Sequence, residues 1–132
     1  MYNLVEISES EITRFLKLKN MQTGDIVECF DDSAVVSDIN FNFMQMNHQY
    51  DCKIKLFGKV VNDKTDQSIA CKIINKDTII GQKSMVEVLA DNKQYYITKK
   101  NLENHLDNEI FYFYATRKDL IQVDNVIHAD YL

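Results

Sequence analysis

Two runs of alternating character, residues 52–60 and 69–74, constrain this chain more than any other feature in it. In the first, Cys52, Ile54, Leu56, Gly58 and Val60 share one parity, and Lys53, Lys55, Phe57, Lys59 and Val61 share the other. In the second, Ile69, Cys71 and Ile73 alternate with Ala70, Lys72 and Ile74. A strand sends successive side chains to opposite faces, so each run reads as a strand with an apolar face and a lysine-bearing face. Residues 62–67 between them are polar and lack Gly and Pro, which predicts a β-hairpin closed by a loop.

A one-residue slip would bury lysine, so the pattern also suggests a register. Pairing Val60 with Ile69 sets Gly58 opposite Cys71 and Leu56 opposite Ile73. The other face then has Phe57 across from Lys72, with Lys53, Lys55 and Lys59 on the same side and Lys76 near the open end. In a chain of formal net charge -5 this is a local lysine cluster around one aromatic ring. Its ordinary role is a solvated strand face that discourages edge pairing. Its functional readings are phosphate contact with base stacking, or an acidic protein partner.

The length of 132 residues suits one domain with a core of its own. Net charge -5 disfavours general duplex DNA binding, which calls for an overall basic footprint. Pro and Trp are absent and Gly occurs three times. Tight turns must therefore come from Asn and Asp, which tolerate left-handed backbone angles. The many Lys, Ile and Asn residues suggest an AT-rich bacterial, phage or viral genome. The first eleven residues lack the basic start and apolar centre of a signal peptide, and no apolar run is long enough to span a bilayer. A cytoplasmic protein is expected. Cys29, Cys52 and Cys71 form no C-x-x-C and read as reduced, buried residues rather than a disulfide framework or zinc site.

Along the chain, residues 2–7 read as a short edge strand. Ser8 and Glu11 have the spacing of a helix capping box, and Ile12, Phe15 and Leu16 could form one face of a helix ending near Asn20. Residues 26–30 and 34–37 suggest a second hairpin around Asp31-Asp32-Ser33. Residues 39–46 alternate as a strand, with Met44 and Met46 either in the core or on an adaptable contact surface. Residues 84–89 and 94–98 predict a hairpin with Val88 facing Tyr95 and Val86 facing Ile97. Thr98 could cap a short helix to about residue 107 with Leu102 and Leu106 on one stripe. Residues 109–115 are the most aromatic strand, and 120–123 fit strand and helix equally. The expected fold is a β-rich α+β domain: a twisted antiparallel sheet or partly open small barrel, with an N-terminal helix and a short second helix.

No glycine-rich phosphate loop is present. His48, His105 and His128 are isolated, and each reads as a surface or satisfied polar residue. The best catalytic pattern is Asp51-x-Lys53 with an upstream acid among Asp31, Asp32 and Asp38, an arrangement that would suit a metal-dependent nuclease. The upstream acids look like turn residues, so that reading is remote, and no cofactor or metal is expected. Acids at Glu28, Asp31, Asp32 and Asp38 could instead form a face for a basic partner. The leading expectation is a non-catalytic binding protein acting on another protein of host or phage origin, as an inhibitor, immunity protein or adaptor. The alternative is a single-stranded nucleic acid binder. The candidate contact residues are Lys53, Lys55, Phe57, Lys59, Lys72, Met44, Met46, Asp31 and Asp32.

Overall fold

The computed structural model describes residues 1–132, and strands take up 57% of them. Ten strands are present: β1 Tyr2–Glu9, β2 Arg14–Asn20, β3 Ile26–Asp31, β4 Gln49–Tyr50, β5 Cys52–Val61, β6 Ile69–Ile80, β7 Lys83–Ala90, β8 Lys93–Thr98, β9 Ile110–Val123 and β10 Val126–Ile127. The single α-helix, α1, is Ser33–Val36, and short 3-10 turns occupy Lys99–Leu102 and Ala129–Tyr131. The chain divides into two compact units, Met1–Ile54 with Asp119–Leu132, and Lys55–Lys118.

The first unit corrects the expected N-terminal helix. Residues 8–20 form the end of β1, a turn and β2. Leu16 and Leu18 are buried while Lys17 and Lys19 point outward, a period of two that overrides the apparent helical stripe. Of that stripe only Leu16 is enclosed; Ile12 is 69% exposed. Ser8 pairs with Phe15 across the hairpin rather than capping a helix. The turn is closed by the Ser10 N–H donating to the Thr13 carbonyl at 2.9 Å. β1 is flanked by β2 and the two-residue β4, so it is not an edge.

β2 and β3 pair antiparallel from Arg14↔Asp31 to Lys19↔Ile26. At their connection the Asn20 Oδ1 accepts the Gln22 and Thr23 amides, and Gly24 takes φ +80, where a Cβ would be strained. Residues 34–37, expected as a strand, lie largely in α1, and residues 39–46 form bends and turns around buried Phe41 and Met44. β3 meets β9 in parallel at Phe30↔Asp119, and β10 folds back on β9.

The second unit corrects the central hairpin. β5 does not pair with β6. It runs parallel to β8 at Lys55↔Tyr96 and neighbours β9 on its other side. β6 pairs with β7 and with β9, where Cys71 meets Phe111. The pairings β9-β5-β8-β7-β6 therefore return to β9 and close a ring. The alternation was sound, since Ile54, Leu56 and Cys71 are buried and Lys72 is exposed. Alternation fixes faces but does not choose a partner strand.

Gly58 shows why β5 and β9 can lie so close. A Cβ there would run into the Tyr114 carbonyl oxygen and stand 2.9 Å from its carbon. The β7–β8 hairpin has the expected register, with Val88↔Tyr95 and Val86↔Ile97. Its turn residues Asp91 and Asn92 both have positive φ, as a two-residue type I′ turn requires. Every non-glycine residue with positive φ is Asn or Asp, as the scarcity of glycine demanded. Where a second helix was expected, the chain makes only the 3-10 turn Lys99–Leu102 followed by further turns.

A candidate ligand-contacting face

Phe57 stands on the outward parity of β5, in the Lys55–Lys118 unit, with its side chain 46% exposed. The Lys55 ammonium lies 5.5 Å from the centre of its ring and the Arg117 guanidinium carbon 4.9 Å. Lys55 is brought there by strand alternation. Arg117 arrives from β9, whose Thr116 hydroxyl donates to the Phe57 carbonyl at 3.1 Å. Each cation–ring contact at an exposed site contributes about 0.5–1 kcal/mol. The result is an aromatic side chain held in place at the surface by two cations, with exposed Lys59 further along the same strand face.

The charge of this unit supports the same face. Residues 55–118 hold eleven Lys and Arg against eight Asp and Glu, a surplus of three positive charges. The remaining residues hold four Lys and Arg against twelve Asp and Glu, a deficit of eight. The two values sum to the net -5 of the chain.

Of the other anticipated contact residues, Lys72 shares the unit of Phe57, while Lys53, Met44, Met46, Asp31 and Asp32 belong to the first unit. Lys53 is half-buried and belongs to the first unit. Lys72 lies on β6, paired with Ile110 of β9, with its ammonium 4.0 Å from Glu109. Met44 is buried, whereas Met46 is 43% exposed. Asp31 is enclosed: its carboxylate accepts from Arg14 Nε at 2.7 Å and from the Ser33 amide at 2.9 Å. Arg14 also donates to the Phe41 carbonyl at 2.7 Å. Asp31 and Arg14 thus tie β2, β3 and the 39–46 segment together, and neither is offered to a partner. Arg117 was missed in the sequence. Its signal was the Arg117-Lys118 pair, separated from the aromatic run of β9 by Ala115 and Thr116.

Asp32, the other acidic candidate, lies 2.6 Å from Nε2 of buried His128. With Asp130 these residues form a group whose ligand atoms lie within 4.8 Å of one another, close enough to consider for a cation. The hydrogen bonds argue for a different role. Nδ1 of His128 accepts the Asp130 amide at 3.1 Å, so the ring proton sits on Nε2 and is donated to Asp32. A metal on Nε2 would force the proton onto Nδ1, against an N–H donor. The pair instead fastens the C-terminal turn beside α1.

Asp51, the acid of the nuclease pattern, is exposed and forms two hydrogen bonds with Asp124: its carbonyl accepts the Asp124 amide and its amide donates to the Asp124 carboxylate. The three cysteines are free. Burial pushes the Cys52 and Cys71 thiols up to about 12, with nearby Asp124 and Asp91 respectively adding to the effect, so neither is an activated nucleophile. No helix is long and apolar enough to cross a membrane. No protein-family model, curated protein or solved structure matches this chain.

Proposed function

We propose that this chain is a non-catalytic binding protein that recognises an acidic segment of another protein through the face centred on Phe57. The observation that carries the proposal is a half-exposed ring with Lys55 and Arg117 both over it, on a unit with surplus positive charge in an otherwise acidic chain. Aromatic and arginine side chains dominate the energetics of protein interfaces, and the flanking cations would select carboxylates and speed encounter.

Single-stranded nucleic acid is the second reading, favoured by the lysines along β5. Such binders use successive aromatic platforms on which bases stack. Tyr95, which also has a cation over its ring, is 1% exposed and offers no second platform beside Phe57. The discriminating experiment titrates a fluorescent glutamate-rich peptide and an oligothymidylate of equal charge in parallel. The proposal expects the peptide to bind more tightly, with Phe57→Ala and Arg117→Glu both weakening it. Tighter oligothymidylate binding with the same sensitivity would favour the second reading. Binding of neither, or insensitivity to both substitutions, would remove this face from consideration.

A further inference from the structure

The tip of the β1–β2 hairpin and helix α1 enclose a cleft of about 300 Å³ within the first unit. Its apolar wall is Ile12, Ala34 and Val35, and its rim carries Glu9 and Glu11. Both glutamates are exposed and neither forms an ion pair. The one cation lining the cleft, Arg14, is buried and neutralised by Asp31 at 2.7 Å. The cleft therefore offers two unneutralised carboxylates above an aliphatic wall. Ile12, at 69%, and Val35, at 50%, are among the more exposed apolar side chains of the molecule.

We infer that this cleft receives a lysine or arginine side chain from a basic segment of a second protein. A long cationic side chain matches both parts of the lining. Its methylene stem covers apolar surface that is otherwise wet, and its charged head reaches the rim carboxylates while keeping contact with water. The surrounding unit, with twelve acidic against four basic residues, favours approach of a basic segment and disfavours an acidic one. This site lies in the first unit and does not depend on the role given to Phe57.

The test is a titration of the full chain with a fluorescent hexalysine peptide at low salt, with hexaglutamate as the opposite-charge control. Hexalysine should bind and hexaglutamate should not compete. Glu9→Gln combined with Glu11→Gln should weaken hexalysine about five- to tenfold, the effect of losing two solvent-exposed ion pairs. Val35→Trp, which fills the cleft without changing charge, should weaken it by a similar factor. Glu6→Gln, which removes a carboxylate already paired with Lys17 at 3.0 Å, should leave affinity within about twofold. Circular dichroism of each variant checks that the fold is retained.

Three outcomes would overturn the inference. One is no hexalysine binding. Another is equal weakening by all three carboxylate substitutions with none by Val35→Trp, which would indicate a diffuse field and no cleft. The last is a concentration-dependent dimer that Glu9→Gln with Glu11→Gln abolishes, which would assign the cleft to a second copy of this chain.

Discussion

The two units hold their strands together by different means. In the Lys55–Lys118 unit β9, β5, β8, β7 and β6 close on themselves, so each of these strands has a neighbour on both sides over part of its length. The first unit is a succession β4-β1-β2-β3-β9 supplemented by side-chain ties: Arg14 to Asp31, His128 to Asp32, and Asn20 within its own turn. Five of the six buried polar or charged residues, Arg14, Asn20, Asp31, Ser33 and His128, belong to this first unit, and Lys93 is the exception. Backbone pairing alone can complete a ring. A sheet whose connecting segments are irregular relies on particular side chains to fix them.

The comparison is broken most directly at Gly58. Gly58→Ala should lose about 3 kcal/mol in chemical denaturation, because the clash is with backbone of β9 and cannot be relieved by a rotamer change. A loss below 1 kcal/mol would mean that β5 and β9 are not so closely apposed. In the first unit, Arg14→Met should cost a comparable ~3 kcal/mol by leaving the Asp31 carboxylate buried without its cation. Adding Asp31→Asn should recover part of that loss, and strict additivity in the double-mutant cycle would show that the pair is not coupled.

His128→Ala should have a smaller effect, about 1–2 kcal/mol, since Asp32 is partly solvated and can turn to water. Amide exchange should accelerate in residues 126–132 and stay unchanged in β6–β8, which would sharpen the contrast between tied and closed regions. The smallest difference concerns the thiols, where the units should behave alike. Cys52 and Cys71 have ordinary values near 9 that the fold raises to about 12. The fold favours the neutral thiol, so this contribution is complete below pH 9 and is lost as pH rises through 12. Alkylation at pH 8 should be slow for both until denaturant is added.

Much of what each strand does was legible locally. The β7–β8 register followed from Val86 and Val88 facing Ile97 and Tyr95 around residues 90–93; the structure narrows that connection to Asp91-Asn92, and so short a turn leaves little choice of register. The reliance of left-handed turns on Asn47, Asp91, Asn92 and Asp124 followed from the scarcity of glycine. The choice of partner strand was not legible. Residues 52–60 and 69–74 carry complementary faces, yet 52–60 lie between β8 and β9, and 69–74 pair with β9 and with the following strand β7, a preference set by tertiary packing that alternation does not encode. The N-terminal helix failed for the opposite reason: Ser8, Glu11, Ile12, Phe15 and Leu16 supply local helix signals, and burial of Leu16 and Leu18 on one strand face outweighed them. At the candidate face Lys55, Phe57 and Lys59 were visible in the sequence. Arg117 was not, because β9 had to be placed beside β5 before its guanidinium could be set over the Phe57 ring.

The most direct measurement is fluorescence anisotropy of a glutamate-rich peptide titrated with the wild-type chain, Phe57→Ala and Arg117→Glu. The account predicts binding that weakens as salt is raised, with each substitution lowering affinity at least about tenfold while the folded spectrum is retained. Unchanged affinity in both variants, or binding that does not respond to salt, would contradict it.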